Sequence, residues 1–120
     1  MRTEISRQFR LEAAHRLPNV PPEHKCARLH GHSFSITVTV GGELDPKLGW
    51  IVDFAEVERA FAPIHAALDH RYLNEIAGLE NPTSEVLARW ILERMVLPAG
   101  KVLSVSVGEN AVSNCTVYAD

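Results

Sequence analysis

Between Ile5 and His15 the odd positions read Ile5, Arg7, Phe9, Leu11, Ala13, His15, and the even positions read Ser6, Gln8, Arg10, Glu12, Ala14. A period of two is that of a strand with one face on a core. This apolar face ends on a histidine. The period returns from His30 to Val40, where His30, His32, Phe34, Ile36, Val38 and Val40 alternate with Ser33, Ser35, Thr37 and Thr39. The second strand therefore begins with two histidines on its apolar face. Arg16 to Leu29 joins the strands, a 14-residue connection of the length at which loops are usually functional.

The period then changes. Asp53 with Glu56 three residues on has the form of a capping box, and Phe54, Val57, Phe61, Ile64 and Leu68 follow helical spacing, so one helix is predicted to run to Leu68. Pro63 inside it removes a backbone hydrogen bond and should kink it. A second helix is predicted from Asn81-Pro82-Thr83, carrying Leu87, Trp90, Ile91 and Met95 and ending at Pro98 to Gly100. Two closing strands are expected: Lys101 to Glu109, with Leu103, Val105, Val107 and Glu109 on one face, and Cys115 to Ala119. Asn110 to Asn114 forms the turn between them.

The order ββααββ predicts the α+β class, a four-stranded antiparallel sheet with two helices on one face. The exposed edges of such a sheet invite pairing between subunits, so a homo-oligomer is expected. Short Pro/Gly stretches act as turns within one domain, residues 1–120.

Composition excludes several function classes. With 46% apolar and 22% charged residues over 120 positions, the chain suits one globular unit. A net charge of −3 gives no broad basic surface for a nucleic-acid backbone. No apolar run reaches the roughly 18 residues that span a bilayer, and MRTEISRQF has no signal-peptide core, so a cytoplasmic protein without a membrane partner is expected. Two cysteines, Cys26 and Cys115, are too few for a disulfide scaffold and should be thiols.

The candidate chemistry lies in "CARLHGHS", residues 26–33. Residues i and i+2 of a strand point the same way, so His30 and His32 can share one ion. If the first two strands pair antiparallel, His15 joins them at the other end of the long loop. Three imidazoles leave the fourth tetrahedral position open, as in catalytic zinc sites. A lone His-x-His is weak, since such histidines also serve as loop hydrogen-bonders; His15 is what sharpens it. The chain is too short for the (β/α)₈ barrel of one His-x-His enzyme class, and Ser33 to Thr39 lacks the Asp and His of the metallo-β-lactamase signature.

Cys26 could be a base or nucleophile beside a cation, or a buried structural thiol. Cys115 reads as core. Asp69-His70 suits a proton relay, although such a pair at a helix end also serves as capping chemistry. His24 and His65 read as a polar loop residue and a helix-face residue. Glu109 aims a carboxylate at an apolar face and needs a partner there; two adjacent N–H donors of a ligand would serve, and so would solvent at a strand end.

Taken together, FRLEAAHRLP, HKCARLHGHSF, GWIVDFAEV, LDHRYLN, NPTSEVLARWI and Glu109 resemble the 6-pyruvoyl-tetrahydropterin synthase family over nearly the whole chain. The three residues between Cys26 and His30 are fewer than in its pyruvoyl-forming members, and resemble its carboxy-forming branch in queuosine biosynthesis. The resemblance implies one zinc per subunit on His15, His30 and His32, a catalytic set of Cys26, Asp69 and His70, and a pterin held by Glu109 with Thr83 and Ser84. It also implies a tunnelling fold (T-fold) in a homohexamer, a dimer of trimers with active sites between subunits. The implied substrate is 7,8-dihydroneopterin triphosphate, converted to 6-carboxy-5,6,7,8-tetrahydropterin with release of acetaldehyde and triphosphate. Gly108-Glu109-Asn110 departs from the family's pattern around that glutamate. Lys25, Arg28 and Arg16 are triphosphate candidates by charge and position. Rival readings are another pterin side-chain lyase, such as a pyruvoyl-forming enzyme, and a non-catalytic zinc- and pterin-binding module.

Overall fold

A computed structural model describes residues 1–120. The first alternation becomes strand β1, Glu4–His15, and the second becomes β2, His30–Gly41. They pair antiparallel along their whole length, from Glu4 opposite Gly41 to His15 opposite His30. Helix α1, Phe54–Leu68, turns Val57, Phe61, Ile64 and Leu68 to the interior and runs through Pro63. Its Asp53 cap differs from the expected capping box. The Asp53 carboxylate accepts from the Ala55 N–H at 3.0 Å, and Glu56 pairs with Arg59 rather than reaching back. Helix α2, Ser84–Leu92, begins on Thr83, whose hydroxyl accepts from the Val86 N–H at 3.1 Å. It is shorter than its spacing predicts, starting after Asn81-Pro82 and ending before Met95, which is still buried.

The sheet has five strands where the sequence predicts four, in the order β3-β1-β2-β4-β5, with β4 at Lys101–Gly108 and β5 at Asn114–Tyr118. The added strand, β3, is Arg71–Tyr72 and runs parallel to β1 beside Ala13 and Ala14. Two residues carry no period, which is why patterning misses it. The β2–β4 register shifts between Thr39 and Val40, where Thr39 faces Ser104 and Val40 faces Val102. This bulge skips Leu103 and gives its expected core place to Val102, which packs against the interior. Both helices cover the odd face of β1, joining Leu11, Phe34, Ile36, Val38, Val105 and Val107 in one core. On that face Arg7 is accommodated by pairing with Glu58 of α1 at 2.8 Å. The opposite face, with Gln8, Glu12, Ser33, Ser35, Ser106 and Thr116, is polar and carries no helix. No helix is long and apolar enough to cross a membrane.

Candidate functional site

The three histidines converge where β1 ends and β2 begins. His15 and His30 face each other on the last rung, and His32 lies opposite Ala13. Their ring centroids are 4.6 to 5.1 Å apart, each pair set edge to face. One nitrogen from each ring lies within 4.8 Å of the others, an arrangement able to hold a metal ion.

Backbone carbonyls orient the rings. His15 Nδ1 is 2.8 Å from the Pro82 carbonyl and His30 Nδ1 is 2.7 Å from the Arg28 carbonyl. A carbonyl only accepts, so both Nδ1 atoms carry the proton and both Nε2 atoms present lone pairs. His15 is 1% exposed, and its Nε2 is buried without a hydrogen-bond partner. Burial, foremost, holds the His15 pKa below its ordinary 6.5, against the raising effect of the Pro82 bond. A neutral buried imidazole with an unpartnered lone pair is what a metal ion requires of a ligand. Glu109 Oε2 lies 3.3 Å from both His15 Nε2 and His32 Nε2, without hydrogen-bond geometry to the former. The donor set fits a divalent transition ion.

Glu109 stands just past the end of β4, which closes at Gly108 rather than at Glu109. Asn110 ties the following turn, its side-chain oxygen accepting from Val112 and Ser113 N–H at 2.9 and 2.8 Å. Ser84 and Glu109 line one cavity of about 200 Å³ with Cys115 and Asn114. Thr83, one residue earlier, has its oxygen engaged in capping α2. Cys115 is half-buried rather than core; burial and the nearby Glu85 push its thiol pKa up.

Cys26 is half-buried in a short 3₁₀ turn, Lys25–Ala27, which the His24 ring caps by accepting from the Cys26 N–H at 3.0 Å. The Cys26 carbonyl accepts from Leu17 N–H at 2.8 Å, tying the middle of the long loop to a position two residues past His15. Arg16, Lys25 and Arg28 are exposed around this loop. Asn74 is a positioning residue that patterning missed. Its amide clamps the Arg16 backbone, accepting from N–H at 3.0 Å and donating to the carbonyl at 2.8 Å. A polar residue between Leu73 and Glu75 in a turn was the only sign of it.

Asp69 and His70 dock on the edge of β1. Asp69 Oδ1 accepts from Glu12 N–H at 2.9 Å, Oδ2 accepts from His70 Nδ1–H at 2.8 Å, and His70 N–H donates to the Glu12 carbonyl. The Glu12 bond first, then His70, holds the Asp69 carboxyl below its ordinary range. His70 adopts φ 59°, a left-handed conformation rare outside glycine, yet its ring is 77% exposed. Here the pair does more than end a helix. His32 and His70 line one cavity of about 570 Å³ with Glu12, Ser33, Arg71 and Tyr72 among its walls. His65, by contrast, bonds the Arg10 carbonyl at 3.1 Å.

The model of the family described as "6-pyruvoyl tetrahydropterin synthase" matches residues 4–120. A 6-carboxy-5,6,7,8-tetrahydropterin synthase of Synechocystis is 42% identical over 96 residues, 76% of this chain and 73% of the relative. A dihydroneopterin monophosphate aldolase of Pyrococcus furiosus is 45% identical over 67 residues, 56% of this chain and 55% of the relative. The structure of Caenorhabditis elegans 6-pyruvoyl tetrahydropterin synthase superposes with a TM-score of 0.91 at 24% identity, covering 100% of this chain and 97% of that one, a likeness of fold.

Proposed function

From the premise that the chain belongs to the 6-pyruvoyl tetrahydropterin synthase family of pterin-processing lyases, we propose that it is a zinc-dependent 6-carboxy-5,6,7,8-tetrahydropterin synthase acting in queuosine biosynthesis. It consumes 7,8-dihydroneopterin triphosphate and one water and releases the 6-carboxy pterin, acetaldehyde and triphosphate. The observation that carries the reading is the convergence of His15, His30 and His32 on one point with the Glu109 carboxylate beside it. The Synechocystis relative and the short spacing from Cys26 to His30 support the carboxy-forming product.

The reading gives each residue a role. His15, His30 and His32 would hold the zinc. When bound, it supplies a Lewis acid that polarises side-chain oxygens and lowers the pKa of the neighbouring C–H. Glu109 accepts two adjacent pterin N–H bonds, Ser84 shares its cavity, and the Thr83 O–H is still free to donate while its oxygen caps α2. Cys26 removes the side-chain proton as its thiolate. His70 passes protons at Nε2, because Asp69 holds its Nδ1–H. Arg16, Lys25 and Arg28 meet the triphosphate.

Residues 1–120 act as one pterin-binding T-fold domain in a homohexamer, a dimer of trimers with active sites between subunits. The unpaired edge of β5, the short β3 at the other edge and the exposed His70 ring support this assembly. The experiment is to incubate zinc-loaded protein with 7,8-dihydroneopterin triphosphate and weigh the products. A 6-carboxy pterin with equimolar acetaldehyde and triphosphate is expected. A 6-pyruvoyl product would refute the product assignment. The Pyrococcus furiosus relative favours a second reading, aldol cleavage of dihydroneopterin monophosphate, which the same assay with that substrate separates. No turnover of either substrate would leave the binding-module reading.

A further inference from the structure

The Glu109 carboxylate stands in a position that pterin binding alone does not explain. His15 Nδ1–H donates to Pro82, so His15 Nε2 is an acceptor. It faces Glu109 Oε2, also an acceptor, at 3.3 Å, and the same oxygen lies 3.3 Å from His32 Nε2. Two lone pairs held face to face repel unless positive charge sits between them. The spacing says which kind. A charge-assisted N–H···O bond closes to about 2.7–2.9 Å, whereas ligand arms of about 2.0–2.1 Å at a tetrahedral angle put neighbouring donor atoms about 3.3 Å apart. Both contacts have the length of a coordination edge.

We infer that Glu109 is the fourth metal ligand of the substrate-free protein, closing the His15–His30–His32 site until a pterin draws the carboxylate away. The inference rests on the reading of the triad as a metal centre and of Glu109 as the pterin anchor. The local chain permits both positions. Glu109 follows the last paired residue of β4, Gly108, and its side chain is 32% exposed beside the Ser84 cavity. Asn110 pins the turn beyond it, so the carboxylate can change partner while the hairpin stays fixed. One group then serves two sites in turn. A metal closed by three imidazoles and a carboxylate resists adventitious ligands, and binding the ring opens the coordination position where the side chain arrives.

The test uses cobalt(II) as a spectroscopic stand-in on the full chain. Wild-type protein, Glu109→Gln and Glu109→Ala are stripped, reloaded with cobalt, and compared by visible absorption, chelator competition and titration with azide. The wild-type spectrum should be four-coordinate and indifferent to azide. Both variants should bind cobalt about ten- to a hundredfold more weakly, at least the loss seen when a supporting carboxylate is removed, and should respond to azide. Adding 7,8-dihydropterin, which has the ring without the side chain, should make the wild-type spectrum azide-sensitive. Cobalt affinity equal within twofold in all three proteins, or azide binding to the free wild type, overturns the inference. Failure of the underlying reading looks different: cobalt binding would then survive His15→Ala and His32→Ala unchanged. Unaltered metal-free melting of the Glu109 variants shows that they fold, and the azide response of the wild type needs no variant.

Discussion

Deleting His15 and deleting His32 should cost the metal alike and the fold very unequally. Structural zinc sites bind with about 10–16 kcal/mol over four ligands, so one imidazole is worth about 3–4 kcal/mol, or a hundredfold to a thousandfold in affinity. Each alanine variant should lose that much in chelator competition. Without metal they part. His15 is 1% exposed and its ring satisfies the Pro82 carbonyl at the entrance to α2. Its removal leaves a buried acceptor unpaired, at about 1–3 kcal/mol, and a cavity against Phe34 that adds about 1–2 kcal/mol. The His32 side chain is 25% exposed and no backbone group is bonded to its ring, so its loss should cost the metal-free fold under about 1 kcal/mol. Thermal unfolding in EDTA at fixed protein concentration should therefore place His15→Ala at least about 4 °C below His32→Ala. Equal melting of the two would refute the assignment of His15 as a ligand held by the fold; metal affinity within threefold of wild type in either would refute the shared site.

Three further outcomes are expected. Cys26→Ala should abolish turnover of 7,8-dihydroneopterin triphosphate while zinc content, read by atomic absorption, stays at one per subunit; unchanged turnover would support a binding module or another base. Asp69 has a depressed folded-state pKa, so its stabilising contribution is present above its ordinary value of 3.8 and is lost as pH falls through the folded value; urea titrations should show wild type more stable than Asp69→Asn near neutrality, the gap closing below about pH 4. Gly100→Ala should destabilise by about 2–4 kcal/mol in denaturant titration with metal affinity unchanged, because Gly100 has φ 74° and a Cβ there would lie 2.9 Å from Ile51 Cγ2 and 3.2 Å from the Gly41 carbonyl oxygen.

The parts of the site on long regular elements were legible. Strand parity, with an antiparallel pairing of the first two strands, placed His15, His30 and His32 together, and parity along β4 put Glu109 on an apolar face although the strand stops one residue short. What escaped lies where a few residues do several things. The β3 pairing rests on Arg71 and Tyr72, too short for any period, yet it seats Asp69-His70 against Glu12. Helix α2 starts at Ser84 on a Thr83 cap, later than the Asn81-Pro82-Thr83 start that spacing predicts, and the Pro82 carbonyl bonds the His15 ring. Leu103 lost its core place to a bulge that no alternation announces.

The fold and the site therefore stand on the same register. His15 opposite His30 is the last rung of the β1–β2 ladder, and Leu11 opposite Phe34, four rungs earlier on the same face, is core. A slip of one residue would turn every odd position of β1 to the other face, exposing Leu11 and taking His15 away from both Pro82 and its fellow ligands. The hydrophobic cost of that slip, about 1.5–3 kcal/mol for each large side chain expelled, is thus also what holds three imidazoles in place before any ion arrives. The core does the work of preorganising the ligands. Metal binding then need only add to an arrangement that Leu11, Phe34 and Ile36 have already selected, which is why the apolar alternation, more than the histidines themselves, is the part of the sequence that specifies the site.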